Sequence, residues 1–126
     1  MLKNEPTYIN GDGETSRDFC YVANSVQANL LAATTTNREA VNQTYNIALN
    51  ARTSLNELFG MLRQRLLPHC PHLENYKPVY QNFRPGDVRH SQADISKARR
   101  LLGFAPTQTV EQGLDEALAW YTEHLR

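Results

Sequence analysis

Two stretches of this 126-residue sequence set arginine and a carboxylate beside glycine turns: Gly11-Asp12-Gly13-Glu14-Thr15-Ser16-Arg17-Asp18 and Arg84-Pro85-Gly86-Asp87-Val88-Arg89-His90-Ser91. A guanidinium presents a fixed fork of donors and keeps its charge, which suits phosphate oxygens. A carboxylate such as Asp87 only accepts, which suits the paired hydroxyls of a sugar. Two arginines and a carboxylate converging would make a site for a nucleotide diphosphate. The same composition also fits a solvated surface on which Arg17-Asp18 and Asp87-Arg89 are local ion pairs, because charges next to glycine turns are ordinary in loops. From residue types alone both readings stand.

Other reactive residue types carry less. His69-Cys70-Pro71-His72 puts three potential ligands in four residues, but it matches no common zinc spacing and has no partner cluster, so no metal site is expected. His90 and His124 are single histidines with surface or packing roles. Trp120 and Tyr121 have core-like helical spacing and are read as packing. The sequence holds no Gly-x-Gly-x-x-Gly or Gly-x-x-Gly-x-x-Gly dinucleotide loop, no Tyr-x-x-x-Lys, and no Gly-x-Ser-x-Gly or His-Glu-x-x-His. No catalytic and no cofactor-binding residue is expected.

The elements that must carry these segments read as four helices and several short strands, an α+β pattern. Thr7-Tyr8-Ile9 is a short strand stopped by Asn10-Gly11-Asp12-Gly13, and a second extended piece runs from Asp18 to Val22. Asn24 is placed as the N-cap of a helix whose inner face carries Val26, Leu30 and Ala33. Tyr45 to Leu49 reads as a strand. Ser54-x-x-Glu57 is a capping box ahead of a helix with Leu55, Leu58, Phe59, Leu62 and Leu66 on one face. Pro78 to Phe83 alternates like a strand. Asp94 caps a short helix bearing Ile95, Ala98, Leu101 and Leu102 and closed by Gly103. Thr109-x-x-Gln112 opens a last helix with Val110, Leu114, Ala117, Leu118, Tyr121 and Leu125 turned inward.

Composition bounds the rest. The length suits one domain, spanning residues 1–126. A formal net charge of zero argues against a nucleic-acid or acidic-membrane partner. Two distant cysteines, Cys20 and Cys70, make no disulfide framework. The N-terminus lacks the apolar region of a signal peptide, and no apolar run reaches the ~18 residues of a membrane span. The expectation is a cytoplasmic protein.

Gly11-Asp12-Gly13-x-x-x-Arg17-Asp18-Phe19-x-Tyr21-Val22 resembles a signature of the extended short-chain dehydrogenases/reductases. So do Ala28-Asn29, Tyr45-Asn46-Ile47-Ala48, Arg84-x-Gly86-Asp87-Val88, Asp94-x-Ser96-Lys97-Ala98 and Leu102-Gly103-Phe104-x-Pro106, in order and over nearly the whole chain. Within that family, residues Ile9–Tyr21 and Gly86–Ser91 are most similar to bacterial UDP-N-acetylglucosamine 4-epimerases. The resemblance is to the C-terminal, substrate-binding part of such an enzyme, with the Rossmann half absent.

That resemblance implies that Arg17 and Arg84 bind the diphosphate of a UDP-sugar and Asp87 the ribose hydroxyls, with Tyr8 near the uracil. Ser91 falls where a small side chain leaves room for a 2-acetamido group, which favours UDP-GlcNAc or UDP-GalNAc. Full-length members use NAD, a Rossmann domain and a Tyr-x-x-x-Lys set to move a hydride at C4. This chain lacks those motifs, so it is expected to bind no NAD and to be inactive alone. The remaining readings are part of a same-family dehydratase or UDP-glucuronate epimerase, or a non-catalytic oligomerising fragment. The family places an acidic residue at Asn24 in many members, with little structural effect expected. In relatives, the helix near residues 24–36 and the strand near 45–49 pack on the missing half. Leu30, Leu31 and Ile47 are therefore expected to leave an apolar face for a homo-oligomer or that half to cover.

Overall fold

The computed structural model describes residues 1–124, in two compact units, each assembled from separate stretches of chain. Residues 1–16, 53–90 and the chain from Leu114 onward form the first; residues 17–52 and 91–113 form the second. Among the described residues there are four α-helices and a few very short strands, as the sequence leads one to expect. No helix among them is long and apolar enough to cross a membrane.

In the first unit, strand β1 (Tyr8–Asn10) pairs in parallel with the strand Val79–Gln81, with Tyr8 opposite Val79, Ile9 opposite Tyr80 and Asn10 opposite Gln81. Two-residue strands β2 (Ser16–Arg17) and β3 (Thr53–Ser54) stand where the chain passes between units, and Val79–Gln81 is β4. Helix α1 (Val22–Thr34) belongs to the second unit, while helix α2 (Leu55–Leu66) belongs to the first. The capping box that opens α2 forms as read. The Glu57 amide donates to Ser54 Oγ at 3.1 Å and the Ser54 amide donates to Glu57 Oε2 at 2.7 Å, so two orphan amides gain partners. The Ser54 amide foremost, and then the Ser54 side chain, hold the Glu57 carboxyl below its usual range. Beneath α2, Leu66, Cys70 and Leu73 make a small core joined by Tyr76 and Leu118. Cys70 is thus a packing residue, and His72 bonds the Met1 carbonyl at 3.0 Å.

The second unit is built around Ala28, Ala48, Ile95, Ala98 and Phe104. Helix α3 (Ser96–Leu102) supplies Ala98 and ends at Gly103. Asp94 accepts from the Ser96 amide at 2.8 Å, one residue ahead of the N-cap position that Ile95 fills. Helix α4 (Val110–His124) starts in this unit and continues in the first. Its capping box forms through Thr109 and Gln112, at 2.8 and 3.3 Å.

Five expectations are corrected. Asn24 is not a cap: α1 begins at Val22 behind Tyr21, and Asn24 is fully buried in its first turn. There its Nδ2 donates to the Gln108 carbonyl at 2.8 Å, while Oδ1 accepts from the amides of Thr107 (2.9 Å) and Gln108 (3.2 Å). A carboxylate could not make the first of these bonds, so an acidic residue there is not equivalent. The buried face of α1 is Asn24 and Ala28, and the stripe read as internal is the outer one: Val26 and Leu30 are 51% and 61% exposed. Residues 45–49 form no strand; Tyr45 and Ile47 pack against the second unit's core as irregular chain, the Tyr45 hydroxyl donating to the Ala40 carbonyl. Trp120 and Tyr121 are about half exposed and pack edge-on to each other, with Trp120 stacked on His124. Leu125 lies outside the described residues.

Candidate functional site

Because β1 and β4 run parallel, the loops that follow them leave from the same end of the ladder. These are the two polar segments singled out in the sequence. The Gly11 amide donates to the Gln81 carbonyl at 2.8 Å, and the Ser16 amide donates to the Arg89 carbonyl at 2.9 Å. Ser16 Oγ and His90 Nδ1 share a hydrogen bond of 2.9 Å. Arg89 reaches Asp12 at 2.8 Å and lies 5.9 Å from the centre of the Phe83 ring. Arg89 therefore pairs far along the sequence with Asp12 of the other segment. The Asp12 carboxyl is held below its usual range by Arg89 first, then by the Glu14 amide.

The glycines of the first segment make room for the chain itself. Both take a left-handed backbone, with φ of 80° at Gly11 and 79° at Gly13. A Cβ at Gly11 would stand 2.3 Å from the Phe83 ring, and one at Gly13 would stand 2.0 Å from Asn56 Oδ1. Asn56, in the first turn of α2, donates from Nδ2 to the Asp12 carbonyl (3.1 Å) and to Glu14 Oε1 (2.7 Å), and its Oδ1 accepts from the Tyr80 hydroxyl (2.9 Å). The first amides of α2 are spent on the same loop: Leu55 donates to the Thr15 carbonyl and Asn56 to that of Gly13. This loop is closed over by side chains.

The second segment is the exposed one. The Asp87 amide donates to the Arg84 carbonyl at 3.2 Å, closing a turn around Pro85 and Gly86. Proline followed by a glycine at φ 77° is what a type II turn takes at its central positions. Arg84 and Asp87 therefore stand at the two ends of one turn, and every residue from Gln81 to His90 is exposed. Tyr8, 56% exposed, sits at the opposite end of the ladder, across from Val79. Arg17 is half-buried at the end of β2, and Ser91 is exposed; both belong to the second unit. Asp18, next to Arg17, is a scaffold residue whose carboxylate accepts from the amides of Leu49 (2.9 Å) and Ala93 (3.2 Å). Among the described residues no group of three His, Cys, Asp or Glu could hold a metal ion.

Sequence reading missed Arg89, Ser16 and His90 as the residues that join the two segments, and Asn56 as the one that holds the first of them to α2. Their bonds span 42 to 77 residues, and no local spacing signals them.

A family model described as GDP-mannose 4,6 dehydratase matches residues 1–117. A dTDP-glucose 4,6-dehydratase of Haemophilus influenzae is 36% identical over 95% of this chain and 36% of its own length. Among solved structures, a UDP-glucose 4-epimerase from Thermotoga maritima with UDP-glucose superposes with a TM-score of 0.85 at 36% identity, covering 100% of this chain and 38% of that one. A UDP-N-acetylglucosamine 4-epimerase from Methanobrevibacter ruminantium, in complex with UDP-N-acetylmuramic acid, gives 0.82 at 34% identity, covering 97% and 36%. Some of the similar epimerase structures hold NAD. The chain spans 36% to 37% of the length of the first curated relatives it matches, and its four helices and short strands correspond to the C-terminal part of the epimerase/dehydratase structures. The chain belongs to this family of nucleotide-sugar epimerases and dehydratases, the one its match to the GDP-mannose 4,6 dehydratase model defines.

Proposed function

We propose that residues 1–126 are the substrate-binding part of an NAD-dependent UDP-N-acetylglucosamine/UDP-N-acetylgalactosamine 4-epimerase of surface polysaccharide biosynthesis, inactive alone. The observation that carries this is the Arg84–Asp87 turn, which holds a guanidinium and a carboxylate at its two ends and is tied to the glycine loop. Arg84 takes the diphosphate and Asp87 the ribose hydroxyls, matching charge to acceptor and acceptor to donor. Arg17 as a second phosphate ligand, Tyr8 beside the uracil and Ser91 beside the acetamido group follow from the resemblance. A structural relative that holds a UDP-N-acetylated sugar supports the choice of sugar. The closed glycine loop and the missing Tyr-x-x-x-Lys support the reading that this chain alone takes up no NAD and carries no catalytic group. Of the three residues expected to leave an apolar face, Leu30 is exposed, whereas Leu31 and Ile47 pack against the second unit's own core; Leu30 with Val22 and Val26 on the outer side of α1 is the surface that a second copy or the remainder of such an enzyme covers. Two unpaired cysteines and the absence of a membrane-length helix among the described residues fit a cytoplasmic setting.

The test is an amide NMR titration with UDP-N-acetylglucosamine. Shifts centred on residues 84–91 are expected, and Arg84→Ala should weaken binding at least tenfold, since a hydrogen bond to a charged group contributes about 1.5–3 kcal/mol. An unchanged affinity in Arg84→Ala would favour an oligomerising module with no nucleotide site. The 36% identity to a dTDP-glucose 4,6-dehydratase keeps a second substrate in view. Tighter binding of dTDP-glucose or UDP-glucuronate than of UDP-N-acetylglucosamine would move the assignment within the family.

A further inference from the structure

We infer that Asp12 and Arg89 form a clasp that fixes the Arg84–Asp87 turn against the glycine loop, which makes both of them positioning residues for the site proposed above. The functional sense of the clasp rests on that reading; its structural sense does not.

The turn lies in an excursion of the chain from Asn82 to Val88. At its start the excursion is held by the bond from the Gly11 amide to Gln81, and at its end by the bond from the Ser16 amide to Arg89 and the Ser16–His90 hydrogen bond. Between these anchors every residue is exposed, and burial does little to hold the backbone in place. The excursion is braced from inside where the Phe83 ring lies against Gly11 and where the Arg89 guanidinium lies over that ring while bonding Asp12. Asp12 is oriented for this. Its Oδ1 accepts from the Glu14 amide at 3.0 Å, which leaves Oδ2 facing Arg89 at 2.8 Å. Both side chains are about half exposed (46% and 49%), so the pair adds little to global stability. Its consequence is local. It sets where the excursion returns to the glycine loop, and with it the placing of Arg84 and Asp87.

The experiment uses the full chain, amide NMR and UDP as the probe. The variants are Asp12→Asn, which keeps the acceptor for Glu14 while removing the charge, Arg89→Gln, the double variant, and Arg89→Lys. Without ligand, each single neutral variant should shift the Gly86 and Asp87 amides and speed their exchange, with no change in melting temperature. With UDP, each should weaken binding by about fivefold, the upper range for an exposed pair. The double variant should be no worse than either single one, and Arg89→Lys should recover most of the loss. The clasp is overturned if the turn amides stay in place in both single variants, if the two losses add, or if Arg89→Gln weakens binding while Asp12→Asn does not, since Arg89 would then be a direct ligand. If the unmodified chain fails to bind UDP, the nucleotide-site reading falls, and the ligand-free amide shifts still decide the clasp.

Discussion

Asn24 and Arg89 each tie a distant stretch of chain into its own unit, and they do so in opposite surroundings. Asn24 is fully buried and satisfies three backbone groups at residues 107–108, about eighty positions away. Arg89 is half exposed and meets Asp12 in water, 77 positions away. An amide carries no charge, so it can be buried with every bond made; an ion pair left at the surface keeps its hydration and contributes little to stability. The second unit thus has a polar tie as deeply buried as its core residues Ile95, Ala98 and Phe104. The first unit carries an exposed excursion whose polar ties set local geometry. A binding group needs that exposure, and it needs rigid elements behind it, which the β1–β4 ladder supplies.

Removing the buried tie should have the largest effect. Asn24→Ala removes three bonds between a fully buried side chain and the backbone of residues 107 and 108 and should cost about 3 kcal/mol. Asn24→Asp should be at least as damaging, because it loses the donor and buries a charge. Denaturant unfolding measures both; a loss below about 1 kcal/mol in Asn24→Ala would erase the contrast between the units. Next comes Gly13→Ala. At φ 79°, with Asn56 only 2.0 Å from the added carbon, it should cost about 2 kcal/mol from backbone strain and displacement of the Asn56 side chain. Amide exchange should show the damage concentrated at residues 11–16 and at the start of α2. Damage spread evenly through α1 and α3 would mean that the two units do not open separately.

This contrast also explains what the sequence could and could not reveal. Both capping boxes, the strands at Tyr8 and Val79 and the Gly103 stop were legible because each depends on residues a few positions apart. The inner face of α1 was misread because the apolar stripe Val26–Leu30 obeys helical spacing yet faces outward, while the face that is buried centres on a polar residue, Asn24. Residues 45–49 have strand-like composition but no neighbouring strand among the described residues, so they pack as irregular chain. The Arg84–Asp87 turn was visible as a local pattern. Its attachment to the glycine loop through Arg89 and the Ser16–His90 pair was not, since those partners meet only in the fold.

The smallest effect separates the two units by salt. Asp12 and Asp94 are both exposed and both titrate below the ordinary 3.8, but for different reasons. Arg89 is the first cause at Asp12, whereas at Asp94 it is the hydroxyl and amide of Ser96, in the turn ahead of α3. A carboxylate whose folded pKa is depressed contributes stability that is present above the unfolded value. That contribution is lost as pH falls through the folded value. Both contributions should therefore be intact above about pH 5 and fade below the unfolded pKa of ~3.9. At 1 M salt the screening length shrinks to about 3 Å, so the hold of Arg89 on Asp12 should weaken, while the neutral bonds at Asp94 should persist. In a carboxyl NMR titration the Asp12 midpoint should rise toward its ordinary value on adding salt, and the Asp94 midpoint should stay. Equal movement of both would mean that Asp12 is held by its own turn through Glu14, and that Arg89 contributes little to keeping the two segments together.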